Sequence, residues 1–269
     1  MKQEPVESDP TTWNVPKILE LPEGRNVTGY HIRKAMSYEI AQGSGGDTHF
    51  LSDYGCVVFR GVEAMLNYME ACYEKNSNLD ATAESYWKAI RTRAGVDPDF
   101  NKTIAATDYT KEDDWAIYSA GQPVDKTLYN IRRERRCEFL AEGLRYMDLC
   151  RWRSMDQLMT APSHLEGMHL WNTPMEDWYL DDNGKSILVA DGTDKANVSS
   201  KDKSEYLRPF ERSSNQSAYN GCTWKMAHYL NPIMIKQFQL TATSGADVST
   251  SILYQNPYWP VVADQPAEK

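Results

Sequence analysis

Between Tyr129 and Arg153 the chain reads YNIRRERRCEFLAEGLRYMDLCRWR, and few folds accept so many charges interleaved with so many apolar side chains. Ile131, Phe139, Leu140, Leu144, Met147 and Leu149 recur at spacings that gather on one broad helical face, with no proline and only Gly143 between them. The pattern predicts one long, partly buried helix over 129–153 with that face as core. Arg135 with Glu138, Glu142 with Arg145, and Asp148 with Arg151 stand at i,i+3 and are expected to pair along it, each pair contributing only about 0.2–0.5 kcal/mol if exposed. Glu134, Glu138 and Glu142 form a like-charge row at i,i+4, which an isolated helix disfavours. Cations from elsewhere in the chain are therefore expected to meet that row.

Ile131, Glu134, Arg135, Glu138, Glu142, Gly143, Arg145, Asp148, Leu149, Arg151 and Trp152, with Phe139 at a position usually held by leucine, match the pattern I-x-x-E-R-x-x-E-L-x-x-E-G-x-R-x-x-D-L-x-R-W. This segment resembles the helix that marks the SusD/RagB family, the surface glycan-binding lipoproteins of Bacteroidetes. Further stretches fall in the family's order. Thr28-Gly29-Tyr30 with Arg33 and Lys34 resembles its T-G-Y-x-x-x-K segment, Phe59 to Glu74 its R-x-A-E-x-L-L-x-x-A-E-A helix, and Ala89 to Gly95 its N-x-I-R-x-R-A-G helix end. Tyr229-Leu230-Asn231-Pro232-Ile233 resembles Y-L-x-P-I-P, and Gln255-Asn256-Pro257-Tyr258-Trp259 resembles Q-N-P-G-W. The resemblance spans 28–259 as a single region. Met234 replaces the usual second proline and Tyr258 the usual glycine, so the turns at those two places are expected to differ.

The resemblance implies a mainly α fold: tetratricopeptide-like helical hairpins, a partial α/α superhelix, with long irregular loops and a few short strands. The residues read on their own agree. A helix over 58–75 would bury Val62, Met65, Leu66, Met69 and Cys72, and a second over 81–93 would present Tyr86, Ala89 and Ile90, with Gly95 as its stop. Joined by the turn Asn76 to Asp80, the two make an antiparallel hairpin that needs the 129–153 helix to cover its second face. Residues 1–27, broken by Pro5, Pro10, Pro16, Pro22 and Gly24, read as an extended entry; 28–39 alternates weakly, as a strand would; and Gly43 to Asp47 reads as a loop. Members of the family are usually about twice as long as these 269 residues, so the chain reads as a C-terminal half. Its opening shows neither a signal peptide nor an early cysteine, and membrane anchoring is implied by the family alone.

Residues 160–222 are poor in periodic apolar positions and rich in Gly, Asn, Asp, Ser and Lys, which predicts a loop-rich insertion. One hairpin is expected within it, turning at Asp181-Asp182-Asn183-Gly184 between 178–180 and 187–189. That acidic turn lacks the spacing and closing glutamate of a calcium loop, and a plain turn is the reading taken.

A net charge of −9 and a pI near 5.1 exclude the basic face that nucleic-acid binding requires. Cys56, Cys72, Cys137, Cys150 and Cys222 fit no metal spacing and read as small buried apolar residues. The histidines are scattered without ligand spacing, no nucleophile, zincin or phosphate-loop motif occurs, and no metal or cofactor is expected. No pair of carboxylates stands out as a glycosidase would need, so catalysis is not expected.

Sugars offer apolar C–H faces that stack on flat rings, while carboxylates and amides take their hydroxyls. Within the loop region Trp171, Trp178 and Tyr179 lie near His169, Asn172, Glu176 and Asp177. We take Trp171, Trp178, Tyr179, Asn172 and Asp177 as the candidate carbohydrate-binding residues. The alternative is that these rings plug the loops onto a core, as Trp87, Trp115 and Trp152 are expected to do in or beside helices. The resemblance implies oligosaccharide or polysaccharide capture at the outer-membrane surface and delivery to a SusC-like TonB-dependent transporter. Peptide binding of the RagB kind, or a transporter-docking scaffold without its own ligand site, remain the alternatives.

Overall fold

Asp80 starts a helix because its carboxylate accepts the Ala83 amide at 2.8 Å, the N-cap bond that an otherwise orphaned N–H requires. The chain around it is seen in a computed structural model that describes residues 5–6, 9–13, 16, 18, 27–30, 32, 34, 55, 57–245 and 247–269. The described elements are mainly helical, and the chain divides into a loop unit, residues 1–32 and 158–225, and a helical unit, residues 33–157 and 226–269.

In the helical unit, α1 (Gly61–Asn76) and α2 (Ala81–Arg93) form the expected hairpin. Val62, Leu66, Met69 and Cys72 from α1 meet Ala83, Trp87 and Ile90 from α2, and Phe100, Ile131 and Phe139 close the core from beyond the hairpin. Trp87 lies flat on Phe100 with ring centroids 4.3 Å apart, and its indole N–H donates to Glu134 at 2.8 Å. Met65 and Tyr86 pack at the margin of this core, and Ala89 faces outward. A short α3 (Phe100–Ala106) and α4 (Lys126–Glu138) follow, the latter capped by Asp125, which accepts the Thr127 and Leu128 amides.

The long helix expected over 129–153 does not form. It is two helices, α4 and α5 (Arg145–Arg151), separated at 139–144. Ala141 at φ +64° and Gly143 at φ +78° take left-handed backbone there, which no α-helix continues through, and Gly143 supplies it without steric cost. The break turns part of the expected core face outward: Ile131, Phe139 and Leu149 are buried, whereas Leu140 and Met147 are 61% and 51% exposed. Two of the three expected in-helix pairs are also replaced. Arg135 reaches Asp148 at 2.7 Å and Arg145 reaches Asp114, and Asp148–Arg151 alone forms as anticipated, at 2.9 Å.

The glutamate row is met by cations from other segments, as its repulsion requires. Arg91 pairs with Glu134 at 3.1 Å, Arg93 and Arg60 pair with Glu138, and Arg60 and Lys34 pair with Glu142. Arg60 Nη2 and Lys34 Nζ also donate to the Glu138 carbonyl, at 2.9 and 2.6 Å. That carbonyl ends α4, so the two cations sit where the helix dipole and its unsatisfied acceptors favour positive charge. Deeper in, Arg151 clamps the Glu70 carboxylate, the Trp152 indole donates to it at 2.6 Å, and Arg132 and Arg151 each stand 4.8 Å from the Trp152 ring. Trp87 and Trp152 are buried and Trp115 half-buried.

Two motif segments near the C-terminus join in the same unit. Tyr229 donates to Asp156 and accepts the Met155 amide, both at 2.8 Å, and burial with the Asp156 bond raises its phenol far above the ordinary range. Tyr258 stands at φ +68°, so the position where the family pattern carries glycine keeps the glycine conformation with a tyrosine in it. β3 (Tyr118–Ser119) and β4 (Gln122–Pro123) make a minimal antiparallel pair, and α6 (Ile235–Thr241) buries Phe238.

In the loop unit, β1 (Pro5–Val6) and β2 (Asp9–Trp13) pair antiparallel, in place of a wholly unpaired entry. Residues 27–30 are a turn and not the start of a strand; most of 31–39, with Gly43 to Asp47 and Cys56, lies outside the described residues. Thr28 accepts the Met168 amide at 2.8 Å. Ile18, Met168, Leu170, Trp171, Tyr179, Val198 and Leu207 form the core of this unit. The cysteines are mixed: Cys72 is buried, Cys150 and Cys222 are half-buried, and Cys137 is exposed, contrary to expectation, because it lies on the outer face of α4.

Candidate aromatic binding face

Residues 167–171 run antiparallel to 205–207. The Gly167 amide donates to Leu207 at 2.6 Å, Leu207 returns a bond to Met168 at 3.0 Å, and Leu170 donates to Glu205 at 3.1 Å. Side chains alternate across such a ladder, so Met168, Leu170 and Leu207 enter the core while His169 and Tyr206 project on the other side. These two are direct cross-strand partners, and their rings stack with centroids 4.7 Å apart and planes 20° apart. Tyr206 is 42% exposed, so the stack offers its phenol to solvent.

Glu205 ties this pair to the next segment. His169 Nε2 lies 3.2 Å from one carboxylate oxygen, and Asn172 Nδ2 donates to the other at 2.9 Å. The Asn172 bond, with a smaller contribution from His169, holds the Glu205 carboxyl below its ordinary value. Asn172 takes left-handed backbone at φ +60° and donates its own amide to Glu176 at 2.5 Å. Thr173 caps the following 3₁₀ turn, Pro174–Trp178, and Pro174 suits its first position. The turn carries Trp178 outward at 40% exposure, beside exposed Asp177.

The five residues singled out from sequence are thus divided. Trp178, Asn172 and Asp177 lie at the surface around one turn. Trp171, 6% exposed, donates its indole N–H to Ser199 at 3.1 Å, and Tyr179, 4% exposed, donates to the Pro16 carbonyl at 2.8 Å. Burial drives the Tyr179 phenol far above its ordinary value. Both rings are core and have no free face for a ligand. Tyr206 and Glu205, both exposed and followed by buried Leu207, complete the exposed face and were not among the five; a local polar-to-apolar step facing His169-Leu170 is the only sequence mark they carry.

The turn at 181–184 forms as expected. Ile187 donates to Tyr179 at 2.9 Å, and Asp181 Oδ1 accepts the Asn183 and Lys185 amides, both at 2.9 Å. That oxygen closes a plain Asx turn. Elsewhere in the unit the buried Glu211 carboxylate draws in His164 at 2.5 Å and Lys203 at 3.4 Å, joining the 164, 203 and 211 segments.

A helical hairpin and, in a separate unit, a loop-built aromatic face are the features of a binding protein of the tetratricopeptide-like, mainly α class. The SusD_RagB model, described as the SusD family, matches residues 7–259, and the chain belongs to that family. Its members are generally non-catalytic proteins of nutrient binding and uptake, typically lipoproteins associated with the outer membrane. Searches of the curated proteins and of the solved structures found no match to this chain. Among the described residues no helix is long and apolar enough to cross a membrane.

Proposed function

We propose that the chain binds oligosaccharides at the bacterial outer-membrane surface, without chemistry of its own, for delivery to a SusC-like TonB-dependent transporter. The observation that carries this reading is the His169–Tyr206 stack, an exposed aromatic platform with Glu205 and Asn172 at its edge and Trp178 on the adjoining turn. Rings supply the stacking surface for sugar C–H faces, and the carboxylate and amide supply acceptors and donors for hydroxyls.

Affinity electrophoresis in gels containing plant and host polysaccharides tests it. At least one polysaccharide should retard the chain, and Tyr206→Ala or Trp178→Ala should each weaken the retardation about tenfold, the equivalent of roughly 1.4 kcal/mol. Trp171→Phe should leave retardation intact while removing a buried fluorophore. Loss of binding with Trp171→Phe but not with Tyr206→Ala would place the ligand elsewhere.

In the helical unit, exposed Met234, Leu240, Ile252 and Tyr254 favour a contribution to transporter docking as a second reading. Replacing Met234 and Leu240 by serine should then lower co-purification with the transporter without touching glycan retardation.

A further inference from the structure

The helical unit matches its buried carboxylates to cations: Glu70, Glu134, Glu138, Asp114 and Asp148 each have an arginine partner. The aromatic face of the loop unit departs from this habit. Glu205 lies against it, Glu176 accepts the amide of the neighbouring Asn172, and Asp177 follows on the adjoining turn; among the described residues none of the three is paired with a lysine or an arginine. The nearby Arg208 is already committed, with Glu166 at 2.9 Å and Glu211 at 3.6 Å.

Resting on the glycan-binding reading above, we propose that this face selects by charge, taking neutral glycans and rejecting those that carry uronate or sulfate, with Glu205 as the residue that sets the preference. A carboxylate oxygen is an acceptor only. Glu205 spends part of its acceptor capacity on Asn172 and stands 3.2 Å from His169 Nε2, and the remaining lone pairs suit the hydroxyl donors of a neutral sugar. A ligand carboxylate or sulfate offers no donor in return and meets the like charge of Glu205, with Glu176 and Asp177 adding negative charge on the adjoining turn. Such juxtaposition is a recognised means of excluding wrong partners. Because Asn172 and His169 hold the Glu205 carboxyl below its ordinary value, the repelling charge persists into mildly acidic solution.

The experiment uses three forms of whichever neutral polysaccharide retards the chain: the parent, its carboxymethyl derivative and its hydroxyethyl derivative. The hydroxyethyl form controls for bulk without charge. The carboxymethyl form should bind at least about tenfold more weakly than the hydroxyethyl form, a gap equivalent to 1.4 kcal/mol. That gap should shrink at least about threefold in 1 M NaCl, where screening acts within roughly 3 Å. It should shrink likewise in Glu205→Gln, whose circular dichroism is recorded alongside. Equal or tighter binding of the carboxymethyl form, or a gap unchanged by both salt and Glu205→Gln, overturns the charge selection while leaving glycan binding in place. Retardation by no polysaccharide at all, neutral or anionic, overturns both, and capture of basic peptides from a defined library would then identify the ligand as peptide.

Discussion

Gln255 and Ile233 exchange two hydrogen bonds: the Ile233 amide donates to Gln255 Oε1 at 2.8 Å, and Gln255 Nε2 donates back to the Ile233 carbonyl at 2.9 Å. The two segments that read as separate family motifs, 229–233 and 255–259, are therefore one structural unit, with Asn256 bonded to Asn231 at 2.7 Å and the Trp259 indole to Ala227 and Leu230. A carboxamide carries a donor and an acceptor on separate atoms, so it can satisfy the N–H and the C=O of one residue together. Gln255→Leu should cost about 2 kcal/mol by orphaning both groups. Gln255→Glu should cost more, because it turns a carboxylate toward the Ile233 carbonyl. Urea midpoints at constant m would establish the order.

Gly167 approaches Thr28 so closely that a Cβ there would lie 2.5 Å from the Thr28 carbonyl oxygen and 2.8 Å from its Cα. Both are backbone atoms and cannot swing aside. Gly167→Ala should destabilise the loop unit by roughly 2–3 kcal/mol. Hydrogen exchange should accelerate at the amides of 167–171 and 205–207, and unchanged protection would show that the segment carrying Thr28 can retreat.

Tyr258 occupies left-handed backbone at φ +68° with its carbonyl bonded to the Glu268 amide at 2.9 Å and its ring beside Lys269. Truncation separates ring from backbone. Tyr258→Ala loses the ring and keeps the strain, whereas Tyr258→Gly loses both. The glycine variant should be more stable than the alanine variant by about 1 kcal/mol, the reverse of their order inside a helix. Thermal unfolding of the pair would show it.

Acid should unfold the helical unit through Glu70. Burial pushes its carboxyl up, but the Arg151 bonds, the Trp152 indole bond and the Arg132 charge outweigh burial and leave it below its ordinary value of 4.5. A carboxyl lowered in the folded state contributes its full stability above the unfolded value and loses it as pH falls through the folded one. Urea midpoints should therefore hold from pH 7 to near 5 and fall below about 4.5. Glu70→Gln should lower the midpoint at pH 7 and flatten the acid limb; an equally steep limb in the variant would assign the acid sensitivity elsewhere.

The sequence made the α1–α2 hairpin legible because its apolar spacing, the short turn Asn76 to Asp80 and the Gly95 stop are local signals that agree with one another. It also revealed the need for outside cations along Glu134, Glu138 and Glu142, since repulsion at i,i+4 depends only on spacing. The interruption of the 129–153 helix was not legible. Gly143 was visible, but Ala141 carries no local mark of left-handed backbone, and the Glu138 carbonyl and Glu142 carboxylate on either side of it are met by Arg60 and Lys34 from far upstream. Around the aromatic face, residue type drew attention to 171–179 but did not report which rings are exposed: Trp171 is buried beside the pairing between 167–171 and 205–207, which no local pattern in 171–179 shows. Trp171 is held inward beside that pairing and by its bond to Ser199, and Trp178 is carried outward by the turn Pro174–Trp178.

The carbonyl that closes α4 is served by Arg60 and Lys34, residues separated from Glu138 by 78 and 104 positions. No side chain next in sequence does that work, so the last carbonyl of α4 has no local side-chain partner while the chain is unfolded. The α1–α2 hairpin, built from neighbouring segments, can assemble early, whereas the end of α4 must wait for closure of a long loop. Folding of this unit is therefore expected to be ordered in time: the hairpin first, then the end of α4 as Arg60 and Lys34 engage Glu138. The helix break becomes a late kinetic event, and the residues that make it, Arg60 and Lys34, should influence the rate of unfolding far more than the rate of folding.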